Sequence, residues 1–241
     1  MAFAYSPKIV TDGLVFAVDA ANKKSYPGSG TTWSDLSGNG NNGTLTNGPT
    51  FDSANGGSIV FDGANDYIPA GTAANFVPTG NMTLSAWINI DNYDSCIYMV
   101  PDSAGGNEMI FWVAPSSNGS FYVGKRLAST FNNSVGSSGN WAQNNTNIPL
   151  NTWTNVVLVR NGGDVSYYVN GSSDGGGTRP SNTLSYASGQ PLYIGTDTDG
   201  GSFTRGNFFD GKMASGKIYN RILTATEITQ NYNALKSRFG L

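Results

Sequence analysis

The chain has 241 residues, 13 basic and 16 acidic side chains, a formal charge of −3 and no histidine. So little charge, with no basic run, leaves no electrostatic footprint for a nucleic acid backbone or an anionic membrane surface, and the missing imidazole removes the commonest general base and transition-metal ligand. Cys96 is the only cysteine, which excludes an intramolecular disulfide and a thiolate metal cage and leaves a small buried hydrophobe as its ordinary role.

This length suits one large β domain, and a polar surface built from Gly, Asn, Ser and Thr rather than from charge favours strands and tight turns over helices. Residues 1–10 lack the charged start and apolar core of a secretory leader, and no segment reaches the length of a membrane span. The expectation is a chain that folds in a cytoplasm, with residues 1–11 as an N-terminal arm and 12–241 as the domain.

Residues 14–19 read as the first strand, followed by a polar loop over 22–47 that Trp33 pins to the fold. Its Asn39-Gly40, Asn42-Gly43 and Asn47-Gly48 pairs mark turns, because Asn and Gly tolerate positive φ. Short strands are expected at 58–61 and 66–68 around a Gly63 turn. The segment 82–90 is the clearest strand: Met82, Leu84, Ala86, Ile88 and Ile90 alternate with Thr83, Ser85, Trp87 and Asn89. Trp87 falls on the otherwise polar face, either beneath a crossing segment or lining a concave surface.

Strands at 97–100, 109–113 and 121–123 continue the series. A hairpin joins 153–159 to 165–170 through Asn161-Gly162-Gly163, and strands at 192–194 and 212–219 complete the set. No repeat of 20 to 50 residues is present, which argues against solenoids and propellers. Near the C-terminus Thr224-Ala225-Thr226-Glu227 has the form of a capping box. Leu223 and Ile228 supply a hydrophobic staple, and Ile228, Tyr232 and Leu235 share one face of a short helix expected to lie on the sandwich.

Several phrases in order resemble the laminin-G-like branch of the concanavalin A-like lectin and glucanase superfamily. They are Gly13-Leu14-Val15-Phe16, Trp33-Ser34-Asp35-Leu36-Ser37-Gly38, Val60-Phe61-Asp62-Gly63 with Asp66-Tyr67, Tyr168-Val169-Asn170-Gly171, Tyr193-Ile194-Gly195, and Phe209-Asp210-Gly211 leading to Ile218-Tyr219-Asn220-Arg221. The resemblance implies an all-β, two-sheet antiparallel jelly roll whose first and last strands meet, with a short C-terminal helix. Segments 9–33 and 231–236 also look like structural proteins of marine tailed phages, which implies a virion location and capsid or tail proteins as partners.

Glucanase members of this superfamily carry their acids in a Glu-x-Asp-x-(x)-Glu strand motif, and retaining hydrolysis needs two carboxyl groups ~5–5.5 Å apart. Here Glu108 and Glu227 are the only glutamates and lie in unrelated regions, so no catalytic residue is assigned and the chain is not expected to be an enzyme. A laminin-G-type calcium site, which needs few carboxylates, has two candidate positions. These are Asp197 with Asp199 and Asp62 with Asp66, each weighed against a solvated Asx turn. Sugar-stacking candidates are Trp141, Trp33 and Trp87, with Trp112 and Tyr122 behind them, each weighed against a core or anchoring role. The expected function is a non-catalytic virion module that binds cell-surface glycan, the alternative a free lectin dependent on Ca2+. Self-association is the further expectation, since jelly rolls offer edges and faces that can pair.

Overall fold

The computed structural model describes residues 8–102, 107–114, 127–131, 142–178, 183–199 and 204–241. In chain order the strands are β1 (Leu14–Asp19), β2 (Thr32–Trp33), β3 (Gly43–Thr44), β4 (Thr50–Asp52), β5 (Ser58–Asp62), β6 (Ile68–Ala70), β7 (Met82–Ile90), β8 (Ser95–Pro101), β9 (Asn107–Val113), β10 (Leu127–Phe131), β11 (Ala142–Gln143), β12 (Thr154–Asn161), β13 (Asp164–Val169), β14 (Ser172–Thr178), β15 (Leu192–Ile194), β16 (Asp197–Asp199), β17 (Thr204–Gly206) and β18 (Asp210–Tyr219). Helix α1 covers Ala73–Phe76 and α2 covers Ala225–Leu235, followed by a 3-10 turn at Lys236–Phe239.

Two antiparallel sheets form the sandwich expected from the sequence. The first runs β14-β13-β12-β7-β18-β5-β4, the second β11-β10-β9-β8-β15-β6-β3-β2, and β16 and β17 form a separate ribbon. On its side away from β7, β18 pairs with β5 through Asp210–Met213 and then with β1 through Ser215–Tyr219. The first and last strands therefore meet, as the family resemblance implies.

The period of two in β7 sets the layers. Met82, Leu84, Ala86, Ile88 and Ile90 are buried between the sheets with Phe16, Tyr98, Phe111 and Ile194. Tyr98 spans the gap and donates its hydroxyl to the Ser85 carbonyl at 2.9 Å. A Cβ at position 216 would stand 2.3 Å from that hydroxyl, so the crossing requires Gly216.

The opposite face of β7 is also buried, because α2 and the turn after it lie across it. Val157, Val159, Tyr219, Leu223 and Ile228 form a second apolar layer there. The capping box starts the helix: Glu227 N–H donates to Thr224 Oγ1 at 3.3 Å, and Thr224 N–H donates to Glu227 Oε2 at 2.8 Å.

The hairpin of β12 and β13 forms as expected, Asn161 opposite Asp164. Strand β14 was not expected, since Ser-Ser-Asp-Gly-Gly-Gly-Thr carries no apolar face. It forms by pairing with β13 and by being tied to the other sheet at its free side. There Asp174 Oδ2 accepts from Asn144 Nδ2 and from Thr146 Oγ1, each at 2.6 Å, while its carbonyl accepts from Asn145 N–H at 3.0 Å. The strand expected at 121–123 and most of the N-terminal arm, 1–7, lie outside the described residues.

Candidate functional site

One end of the sandwich gathers carboxylates. Pairing of β5 with β18 sets Asp62 opposite Asp210, and Asp91 N–H donates to the Asp210 carbonyl at 2.9 Å. Asp94 precedes β8, whose Cys96 N–H donates to the Asn207 carbonyl at 3.2 Å. Asn207 Nδ2 in turn donates to Asp197 Oδ2 at 2.7 Å. Both carboxylate pairs singled out in the sequence thus belong to one rim.

Their individual states differ. Asp62 Oδ1 accepts from the amides of Ala64 and Asn65 at 2.9 and 3.3 Å, closing the Gly63 turn. The Ala64 amide foremost holds its carboxyl below the usual value. Asp66 is only 3% exposed; its Oδ2 accepts from Asp62 N–H at 3.1 Å, while its Oδ1 is buried without a hydrogen-bond partner. Burial raises the proton affinity of Asp66 and of Asp210, the neighbouring carboxylates adding to it.

For a calcium ion this rim has one observation in favour, the orphaned Asp66 oxygen. Among the described residues no group of three or more Asp, Glu, Cys or His side chains converges as a ligand set. A bound cation would therefore take Asp66 with carbonyl and water oxygens. Asp197 and Asp199 open the β16–β17 ribbon rather than a bare turn, Asp199 pairing with Thr204. The Asp197 side chain is committed to Asn207, and the Asp199 side chain lies outside the described residues.

The aromatic expectations need correction. Trp33 is fully buried in the main core, and Trp87 is 1% exposed beneath the C-terminal segment, stacked on Tyr232 and Phe239. Neither ring presents a face to a sugar. Trp112 is buried with Cys96, Met99, Ile110 and Tyr193 on the outer face of the second sheet. Trp141 and Tyr122 lie outside the described residues. Both glutamates are engaged as well. Glu227 caps α2 and pairs with Arg221 at 2.6 Å, whereas Glu108 is buried and accepts from Ser185 N–H at 2.6 Å.

The opposite end holds a cleft that sequence inspection missed. It has a volume of about 570 Å³ and is formed by Val15, the loop residues Asn39 and Asn41, the 74–79 segment around α1, and Asn220 beyond β18. Its described lining contains no charged side chain. Asn41, Asn75 and Asn220 are among its lining residues, and Phe76, held against Phe16 with ring centroids 5.7 Å apart, gives it an aromatic wall beside Pro78. Each amide supplies donors and acceptors on a neutral frame, the chemistry that matches sugar hydroxyls.

The sequence profile of the concanavalin A-like lectin/glucanases superfamily, laminin-G type, matches residues 62–229. No curated protein matches the sequence. Among solved structures, domain 4 of AbnA, an extracellular arabinanase of Geobacillus stearothermophilus in complex with arabinotriose, has a TM-score of 0.66 at 18% identity. That match covers 91% of this chain and 98% of the domain. Trypanosoma rangeli sialidase in complex with sialic acid has a TM-score of 0.65 at 15% identity, covering 98% of this chain but 36% of the sialidase. The receptor-binding domain of botulinum neurotoxin type G follows at 0.60 and 15%, covering 92% of this chain and 51% of the domain. At such identities these likenesses are likenesses of fold.

Proposed function

Because the chain belongs to the concanavalin A-like lectin/glucanases superfamily as a laminin-G-type domain, we propose that it is a non-catalytic glycan-binding module. The observation that carries this reading is the charge-free, amide-lined cleft with the Phe76 and Pro78 wall. Neutral saccharides bind through hydroxyl-to-amide hydrogen bonds and through contact of their C–H faces with flat apolar surfaces. The commitment of both glutamates to structural partners supports the non-catalytic part, since retaining hydrolysis needs a facing carboxyl pair.

A calcium ion at the carboxylate rim belongs to the same proposal, supported by the orphaned Asp66 oxygen. Its role is to hold the rim loops, because the amide-lined cleft lies at the other end of the strands. A glycan array with arabinotriose among the neutral probes tests the glycan part, and the effect of calcium on Tm tests the ion. Saturable glycan binding that Asn75→Ala weakens is the expected result; no binding to any probe overturns the glycan part.

The setting we propose is the surface of a phage particle, with capsid or tail proteins as neighbours. It rests on the resemblance of segments 9–33 and 231–236 to phage structural proteins. Mass spectrometry of purified particles checks it: absence from the particles, with glycan binding retained, leaves the free-lectin alternative.

A further inference from the structure

Beneath α2 lies a largely enclosed cavity of about 190 Å³. Its walls come from the N-terminal segment (Ile9, Thr11), from β1 (Leu14, Ala17, Asp19), from the following loop (Asn22, Leu36) and from Leu235 of the helix. Lys217 of β18 also lines it. Lys217 is 6% exposed, and its ammonium makes one long hydrogen bond, 3.4 Å to Ser215 Oγ, although it carries three donors.

The charges around it do not balance. Asp19 is the neighbouring carboxylate, and its Oδ1 is already taken by Arg238 Nη1 at 2.8 Å and by the Ala21 amide at 2.9 Å. Arg238 also donates to the Asn55 and Gly57 carbonyls, which fixes it in place. Among the described residues no carboxylate forms an ion pair with Lys217, so Lys217 and Arg238 share Asp19 as the neighbouring anion around a largely enclosed site. A buried ammonium without a counter-charge is costly. Burial accordingly lowers the proton affinity of Lys217, with Asp19 opposing that shift and Arg238 adding to it.

We propose that this cavity binds a small organic monocarboxylate, its carboxylate seated on Lys217 and its short alkyl part against Ile9, Leu14, Leu36 and Leu235. The volume is below the ~300–1,000 Å³ of sites for drug-sized ligands, which selects a molecule of a few carbons. The apolar walls select an acid with an alkyl end over an inorganic anion. This site is separate from the amide-lined cleft and stands whether or not a glycan binds there.

Thermal unfolding of the full chain in sodium propionate, against sodium chloride at equal ionic strength, tests it. Propionate should raise Tm in a saturable way, by about 5–10 °C at a hundredfold excess over Kd. Lys217→Met should abolish the rise and Lys24→Met, at an exposed position, should keep it. A wild-type chain that responds no more to propionate than to chloride overturns the proposal whatever the variants do, as does a response that Lys217→Met retains. Sodium glucuronate distinguishes a free short acid from a carboxylate carried on a sugar. The apolar walls of Ile9, Leu14, Leu36 and Leu235 leave its ring hydroxyls without partners, so a response to glucuronate equal to that of propionate overturns the assignment to a small alkyl acid.

Discussion

Trp87 and Phe239 stack with ring centroids 4.2 Å apart and planes inclined by 22°. This contact joins the central strand of the first sheet to the last turn of the chain, 152 residues later by difference of their numbers. Trp153 packs on the same phenyl ring at 4.7 Å, and Tyr232 covers the other part of the Trp87 indole.

Phe239→Ala should therefore expose the indoles of Trp87 and Trp153. We expect a red-shifted tryptophan emission and a loss of about 2–3 kcal/mol in denaturant unfolding, below the full cost of a core phenylalanine because Phe239 is only half-buried. Unchanged emission would mean that the C-terminal turn does not seal this face.

Glu227 provides a pH signature. Its hydrogen bond with Arg221, followed by the Thr224 amide, lowers its carboxyl from 4.5 to about 2. A group depressed in the folded state stabilises the fold fully above its unfolded value and loses that contribution as pH falls through the folded value. The Tm difference between wild type and Glu227→Gln should be constant above pH 4.5 and shrink between pH 4.5 and 2. Thr224→Ala, which removes the other half of the capping box, should cost about 1 kcal/mol at neutral pH.

The capping box, its staple and the alternation of β7 could all be recognised in the sequence, because each is a local pattern whose physics is complete within a few residues. The role of Trp87 could not. Its polar neighbours Thr83 and Ser85 signalled an open face, whereas the cover is supplied by Tyr232 and Phe239 from the far end of the chain. The amide-lined cleft was missed for the same reason: Val15, Asn41, Asn75 and Asn220 are unremarkable loop and strand-end residues until the fold brings them together. Conversely, Asp62, Asp66 and Asp197 stood out as carboxylates, but only β5, β15 and β18 place them on a common rim.

Asp66 offers a test of that rim. Burial raises its carboxyl above 3.8, so the fold is most stable with it protonated and loses that stability as pH rises through the raised value. Asp66→Asn should flatten this part of the pH profile. Calcium should raise the Tm of the wild type, by the equivalent of about 1.4 kcal/mol at ten times Kd, and leave Asp66→Asn unmoved. Equal calcium responses would remove Asp66 from the site.

At the other end, Asn75 and Asn220 are exposed, and among the described residues neither side chain makes a hydrogen bond. Asn75→Ala and Asn220→Ala should leave Tm within about 1 °C, as expected for surface changes. Each should weaken glycan binding roughly tenfold, the worth of one well-placed hydrogen bond. Titration calorimetry with a neutral oligosaccharide checks this, and full affinity in the double variant would relocate the site.

The lacing of β14 by Asp174 bears on how copies of this protein can assemble. A bare flank strand invites a neighbour to continue the ladder, but here Asn144, Asn145 and Thr146 already occupy that flank. Stacking of one molecule on another through this flank would first require undoing these bonds, so filament growth by strand addition is blocked on that side, and neighbours in any array must meet through loops and faces instead.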